Sequence, residues 1–154
     1  MTERFDQGLA ADELQNELRD LLSLAVFGDH VRWVLTGDET ADLAEWLADA
    51  TVQWRAWADQ MASHLVRLGV APDGRIRSLA KDIPLNWVSE GWLCIDEARR
   101  LVADRLGTVA GSVRYRRSQA SNPETVGLLD AVCSGLEAHV RAVNDAERQH
   151  RGRR

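Results

Sequence analysis

Residues 30–74, with the sequence HVRWVLTGDETADLAEWLADATVQWRAWADQMASHLVRLGVAPDG, decide the fold of this chain. They comprise the end of one predicted helix, a turn, a complete second helix and the turn that ends it. They also contain four of the six tryptophans and two of the four histidines. Because indole and imidazole side chains serve both core packing and metal or redox chemistry, we expect any functional site to draw on this stretch.

A seven-residue repeat predicts that the second helix belongs to a bundle. Two rows of side chains recur at this interval: Leu43, Ala50, Trp57 and His64, and Leu47, Trp54, Met61 and Leu68. In a helix this spacing places both rows on one stripe, which forms the seam against neighbouring helices. Thr36 and Glu39 have the spacing of a capping box, so we predict a helix from about Asp38 to Leu68.

Glycine and proline mark the two turns of this stretch. Gly37 follows the first helix and Gly69 follows the second, where a left-handed backbone conformation ends a helix. Pro72 follows Gly69 and prevents the helix from continuing.

Three further helices are predicted outside this stretch. The first runs from between Asp6 and Asp12 to about Leu35. Its apolar face comprises Leu14, Leu18, Leu21, Leu22, Ala25 and Val26. The third begins with Ser89 as N-cap and ends near Arg117. Its buried face comprises Ala98, Leu101, Val102, Leu106, Val109 and Val113.

The fourth helix begins at Pro123, after Ser121 or Asn122 as cap, and ends near Arg148. Its apolar side chains are Leu129, Val132, Cys133, Leu136, Val140 and Val143. The linker of residues 75–90 is too apolar for a solvated loop and has some helical character. Its apolar side chains are Leu79, Ile83, Leu85, Trp87 and Val88.

Four long helices with one long crossover predict an all-α, ferritin-like four-helix bundle with a short helix in the crossover between the second and third helices. We expect residues 1–154 to form one domain, with the bundle at about 8–147 and a basic C-terminal tail at 148–154.

Composition points to a cytoplasmic protein. Apolar residues make up 45% of the chain, which is ordinary for a globular domain, and no run of apolar residues is long enough to span a membrane. The charged N-terminus lacks the apolar core of a secretion signal. Cys94 and Cys133 match no metal-binding or redox spacing, so we expect reduced thiols.

The net charge of −5 is unevenly distributed. Acids dominate residues 1–74, whereas bases outnumber acids in residues 75–154. The tail contributes Arg148, Arg151, Arg153 and Arg154. These arginines could bind phosphates in a sequence-independent and salt-sensitive way, which predicts DNA contact in the nucleoid. The alternative is a disordered, solubilising end.

Several short motifs share one register. Trp33 and Gly37 have Trp-x-x-x-Gly spacing, Asp59 follows on the second helix, and Leu68–Pro72 ends it. Residues 136–139 read Leu-Glu-Ala-His. Across about residues 10–145 the sequence resembles the Dps family of small ferritin-like proteins.

The resemblance implies a hollow, spherical homo-dodecamer that takes part in stress responses. Members of this family oxidise ferrous iron, usually with hydrogen peroxide, and store the ferric mineral inside. Many also bind DNA through basic tails. Their iron site lies between two subunits, one of which supplies two histidines and an aspartate while the other supplies an aspartate and a glutamate.

Four of these five ligand positions hold a different residue type here. The histidine positions are Arg32 and Ala44, the first acid is Ala48, and the final glutamate is Ser63. Only Asp59 matches. Because iron prefers carboxylate and imidazole ligands, the sequence predicts weak or absent ferroxidase activity.

The remaining polar groups of the stretch allow two hypotheses. The guanidinium of Arg32 could replace the metal and pair with Asp59 of a second subunit, unless both are simply solvated charges. His30 and His64, with Asp59, could instead form a displaced site for iron or zinc. The alternative for a seam residue such as His64 is packing or hydrogen bonding in the core.

Other residues also have two interpretations. The tryptophans are expected to pack in the core, although they could line a pocket for a planar ligand. The resemblance offers Trp33 a second role as a radical trap. His139 is expected to make buried hydrogen bonds. Glu124 and Asp130 could line an acidic pore, or be solvated residues near a helix start.

The sequence therefore predicts a Dps-like, shell-forming stress or nucleoid protein that binds or stores iron, with possible DNA binding. The alternative is a non-iron ligand-binding or enzymatic assembly that uses the pocket between two subunits. No P-loop, GxGxxG, HExxH or serine–histidine–acid motif indicates a conventional enzyme.

Overall fold

The computed structural model describes residues 2–81, 88 and 90–153, which form a helical bundle. Its five helices are α1 (Thr2–Val34), α2 (Ala41–Arg67), α3 (Ile76–Lys81), α4 (Ile95–Gln119) and α5 (Pro123–Arg151). The described residues contain no β-strand. The predicted all-α fold is confirmed, with four long helices and the short α3 in the crossover between α2 and α4. No helix in the described part of the chain is long and apolar enough to cross a membrane.

Two helical hairpins build the bundle. α1 packs most extensively on α2, and α4 on α5, while α1–α4 and α2–α5 contacts join the two hairpins. The interior comes from the predicted apolar stripes, with Leu21, Leu47, Leu106 and Leu136 fully buried. Two assignments to the stripes are wrong, because Val26 and Leu68 are exposed.

The turn between α1 and α2 differs from the predicted capping box. Gly37 has the expected positive φ, but α2 begins at Ala41 instead of Asp38. Thr40 is the N-cap, and its hydroxyl donates to the Gly37 carbonyl at 2.9 Å instead of capping the helix. Glu39 precedes this N-cap, so it cannot serve as the third helical residue of a capping box.

The start of α4 was also predicted wrongly. α4 begins at Ile95 with Cys94 as N-cap, and Ser89 lies outside the described residues, as do Ile83, Leu85 and Trp87. Leu93 is extended because it bridges the end of α1. It donates to the Val34 carbonyl and accepts from the Thr36 amide, both at 2.9 Å. A residue held in this way cannot belong to a helix.

The start of α5 confirms one of the two predicted caps. The Asn122 side chain accepts from the amides of Glu124 at 2.9 Å and Thr125 at 3.3 Å, and Pro123 occupies the first turn. The helix continues to Arg151, beyond the predicted end near Arg148. Part of the predicted basic tail is therefore helical.

The loop between α2 and α3 is fastened to α1. Gln15 donates to the Asp73 carbonyl at 2.8 Å, and its side-chain oxygen accepts from the Asp73 amide at 2.9 Å. The Asp73 carboxylate accepts from Ser78 and Arg75, and these hydrogen bonds hold its pKa well below the ordinary value. The crossover thus starts from a fixed position.

Candidate functional site

The surfaces of α1 and α2 form one exposed face. On α2 the exposed residues Val52, Arg55, Asp59, Ser63 and Val66 follow helical spacing, so they share one side of the helix. Exposed apolar side chains occur on both helices: Val26 at 60%, Trp33 at 65%, Val52 at 68% and Val66 at 61%. An apolar strip of this kind is typical of a protein–protein contact.

An ion pair shows that the exposed residues of α1 lie next to the exposed row of α2. Arg55 donates to Asp29 at 2.6 Å, and Asp29 lies between Val26 and Trp33 on α1. We call Val26, Trp33, Val52, Asp59 and Val66 together the α1–α2 face.

Asp29 pairs with two arginines next to the α1–α2 face. It accepts from Arg55 and, at 3.3 Å, from Arg32. Partial burial alone would raise the pKa of Asp29, but the hydrogen bonds from the two arginines hold it below its ordinary value. Arg32 is therefore paired within the chain, while its Nε is buried without a hydrogen-bond partner.

The described part of one chain does not bring the predicted metal residues together. Asp59 is exposed, whereas His64 is fully buried and faces α5. The Nε2 atom of His64 lies 2.8 Å from the Thr125 hydroxyl. His30 is half-buried on α1. No group of three histidine, cysteine, aspartate or glutamate side chains among the described residues is arranged to hold a metal.

The residues at the family's iron-ligand positions do not fit iron. Arg32, Ala44 and Ala48 are half-buried, and Ser63 is exposed beside Asp59 on the next turn. A guanidinium and two methyl groups offer no metal ligand, and one carboxylate with a hydroxyl is too few.

The tryptophans do not all behave as the sequence predicted. Trp54 is completely buried and Trp57 nearly so, whereas Trp46 is half-buried. For these the packing prediction is confirmed. For Trp33 it is wrong within the chain, because the indole is largely exposed on the α1–α2 face.

His139 lies at the centre of the buried aromatic group. Its Nδ1 accepts from the indole N–H of Trp54 at 3.0 Å, and its ring centroid lies within 6 Å of those of Trp46, Trp54 and Trp57. Burial lowers the pKa of His139, which favours the neutral ring that this hydrogen bond needs. This confirms the predicted structural role of His139, although its hydrogen bond is only partly buried.

The residues predicted to line a pore or bind nucleic acid are exposed and mostly paired. Glu124 accepts from Arg67 at 2.9 Å, and Asp130 from Arg117 at 2.6 Å. At the end of α5, the predicted phosphate-binding residues Arg148, Arg151 and Arg153 are exposed, and Arg154 lies outside the described residues. Arg151 pairs with Glu147 at 2.7 Å, and Arg148 lies 3.8 Å from Asp145.

A cavity of about 600 Å³ lies where α2 and α4 begin and α5 ends. Trp46, Arg99, Val143, His150 and Arg153 are among its lining residues. Neither Arg32 nor Asp59 lines it, so it is separate from the α1–α2 face.

A partly buried charge cluster was missed by sequence reasoning. Arg116 on α4 binds three acids of α1: Glu13 at 3.0 Å, and Glu17 and Asp20 at 2.6 Å each. Near the end of its helix, the charge of Arg116 suits the helix dipole, but the sequence identifies no partner for it. A clue existed in the sequence, because Glu17 lies between Leu14 and Leu21 on the helical stripe that packs in the core.

Comparisons with known proteins agree on the fold. No protein-family model matches the sequence, and no curated protein is significantly similar to it. Solved structures do match. Dps92 from Deinococcus radiodurans is 22% identical with a TM-score of 0.87, over 91% of this chain and 86% of that one. A Dps protein from Bacillus brevis is 20% identical with a TM-score of 0.83, over 91% and 95%.

The Dps protein from Vibrio cholerae, described as a member of a broad superfamily of ferritin-like diiron-carboxylate proteins, is 14% identical. It matches with a TM-score of 0.82 over 92% of this chain and 90% of that one. The predicted resemblance is thus confirmed for the fold: this chain has the ferritin-like four-helix bundle of Dps proteins.

Proposed function

We propose that this chain assembles into a Dps-like shell that can hold iron but has lost the ferroxidase site between subunits. The observation that carries this proposal is the α1–α2 face, which combines exposed apolar side chains with the carboxylate of Asp59, unpaired among the described residues, on a Dps-type bundle. The face has the composition of an interface, whereas the residues at the iron-ligand positions do not fit a metal.

Assembly is the first test. Light scattering on purified protein is expected to give about twelve times the mass of one chain. Val52→Asp, in the middle of the α1–α2 face, is expected to give smaller species because it places a charge in a contact that excludes water. Tyr115→Asp is the matched control, since Tyr115 is similarly exposed but lies on α4. A monomeric wild-type protein would exclude the shell.

Charge exchange tests how the face is paired. In this proposal Arg32 uses its remaining donors to bind Asp59 of a second copy, in place of a shared metal. Asp59→Arg alone is expected to weaken assembly, and Arg32→Asp combined with Asp59→Arg to restore much of it. Failure of the double variant to improve on the single one would contradict the pair, but not the shell.

Iron oxidation tests the loss of the site. Ferrous iron added anaerobically, followed by hydrogen peroxide, is expected to be oxidised no faster than in buffer alone. A restored variant carries Arg32→His, Ala44→His, Ala48→Asp and Ser63→Glu, which with Asp59 supplies the five ligand types of the family. We expect this variant to oxidise iron faster than the wild type. Rapid oxidation by the wild type would contradict the proposal.

DNA binding is the second candidate function, favoured by the exposure of Arg148, Arg151 and Arg153 at the end of α5. Twelve copies of a weak site on one shell would add avidity. A gel-shift assay at low salt is expected to show binding that disappears as salt rises. Replacing the three arginines with glutamine is expected to abolish the shift. The same change at Arg75, Arg77 and Lys81, which are also exposed, is the control.

A further inference from the structure

The charge cluster of Glu13, Glu17, Asp20 and Arg116 is unbalanced. One guanidinium serves three carboxylates. Glu17 Oε2 and Asp20 Oδ2 both lie 2.6 Å from the same atom, Nη1 of Arg116. Two ionised carboxylates held so close together repel each other, which favours a proton on one of them.

Burial determines which carboxylate takes the proton. The side chains of Glu13 and Asp20 are about one-third exposed, at 35% and 34%, so water solvates their charge. Glu17 is completely buried, and its Oε1 has no hydrogen-bond partner among the residues that the structure describes. An ionised carboxylate with an unsatisfied buried oxygen is costly. Glu17 is therefore the member of the cluster that gains most from being neutral.

Arg116 is the cation that acts on Glu17, and it lowers the carboxyl pKa both through its charge and through a hydrogen bond. Arg105, also on α4, acts on Asp20, and its contribution is electrostatic. Among the ion pairs of the described residues, none joins Glu17 to a charged side chain of α2, α3 or α5. Burial raises the pKa of Glu17 to about 7 even though Arg116 acts to lower it.

We propose that Glu17 binds a proton in the packed bundle near neutral pH, and that this proton keeps α1 closed against α4. We call the cluster a pH-sensitive latch, because the protonation state of Glu17 determines how tightly α1 is held against α4. When Glu17 is neutral, Arg116 is shared by Glu13 and Asp20, and Glu17 adds a hydrogen bond without adding a charge. When the proton leaves, three anions surround one cation in a water-poor space, and the part of α1 around residues 13–20 is held less tightly.

The direction of the pH effect follows from proton linkage. Glu17 has its ordinary pKa of 4.5 when α1 is open and a pKa of about 7 when closed. The closed form thus binds the proton more tightly, and closure weakens as pH rises from about 4.5 to 7. Below this range Glu17 is protonated in both the open and the closed form, and above it Glu17 is ionised in both. The equilibrium constant for opening of α1 is expected to increase by up to about tenfold per pH unit, or up to roughly 300-fold in total.

Two measurements test the latch on the full-length assembled protein. Carboxyl ¹³C NMR is expected to show that Glu17 titrates near neutral pH, well above its ordinary pKa of 4.5. Hydrogen exchange of residues 11–20, corrected for the intrinsic pH dependence of exchange, is expected to show more opening as pH rises from 5 to 7. A Glu17 carboxyl that titrates below pH 5 would overturn the proposal.

Paired variants isolate the proton. Glu17→Gln mimics the neutral carboxyl and cannot titrate, so opening of α1 is expected to lose its pH dependence between pH 5 and 7. Glu13→Gln changes a more exposed member of the same cluster and is expected to keep most of the wild-type slope. An unchanged slope in Glu17→Gln would overturn the latch. The NMR titration of the wild type decides the matter if this variant does not fold.

Discussion

The α1–α2 face and the interior between α2 and α5 use similar residue types in opposite ways. Inside, the indole N–H of Trp54 is bonded to His139, and His64 to Thr125, so these polar groups have partners within the chain. On the face, Trp33 is exposed and Asp59 has no ion pair among the described residues. Both regions contain residues of the single helix α2.

This difference separates residues that stabilise the subunit from residues that, in the proposed shell, would contact a second copy. A buried polar group without a hydrogen bond is costly, so the stability of the subunit depends on the hydrogen bonds that His64 and Trp54 make inside it. The face has no such requirement while water covers it. Covering its exposed apolar groups is favourable, whereas the carboxylate of Asp59 can be covered without a large cost only opposite a cation.

The two tryptophans give the largest expected contrast. Trp54→Ala removes a completely buried indole and is expected to lower the free energy of unfolding by about 3–5 kcal/mol. Trp33→Ala is expected to change the unfolding of the isolated subunit by less than about 0.5 kcal/mol. Urea denaturation measures both, at protein concentrations low enough that the subunit is a monomer. Equal losses would show that Trp33 packs inside the subunit.

Glycine substitutions on α5 provide the next test. A Cβ at Gly135 would overlap the ring of Trp57, so Gly135→Ala is expected to lower stability by about 1–3 kcal/mol. Gly127 lies on the same helix with open space around it. There the same change is expected to stabilise by up to about 1 kcal/mol through helix propensity. Thermal unfolding of both variants checks the pair, and a stabilising Gly135→Ala would contradict the close packing.

The sequence could predict features that depend on residues close together in the chain, but not features that depend on residues far apart. The heptad rows, the positive φ at Gly37 and the Asn122 cap follow from local rules, because periodicity and turn chemistry involve residues a few positions apart. The start of α4 could not be found in this way. It depends on Leu93 bonding to the end of α1, about 60 residues away.

The charged residues show the same limit. The sequence placed Arg116 at a helix end but gave no means of matching it to three acids about 100 residues earlier. Trp33 was misplaced for a related reason. A tryptophan at helical spacing is consistent with a buried stripe or with an exposed one, and only the packing of α1 on α2 distinguishes them.

Removing the partner of His64 is expected to have an intermediate effect. Thr125→Val preserves shape but leaves His64 Nε2 buried without a hydrogen bond, at a cost of about 1–3 kcal/mol. Thr108→Val is the control, because Thr108 is exposed and, within the described part of the chain, its hydroxyl donates only to the Asp104 carbonyl of its own helix. That change is expected to stay within about 0.5 kcal/mol. Equal changes in the free energy of unfolding for the two variants, measured with denaturant, would show that the buried bond stabilises the subunit no more than the exposed one.

The smallest expected effect on the subunit concerns Asp59. Asp59→Asn removes the charge but keeps the size, and because the side chain is exposed, the free energy of unfolding of the dissociated subunit is expected to change by less than about 0.5 kcal/mol. If Asp59 binds the guanidinium of Arg32 in a second copy, as proposed, assembly should respond more, since an amide binds a guanidinium less strongly than a carboxylate does. Sedimentation across a concentration series is expected to show dissociation at higher protein concentration than for the wild type. A carboxylate that affects assembly without affecting unfolding belongs to a contact between subunits, whereas one that affects neither is a solvated charge.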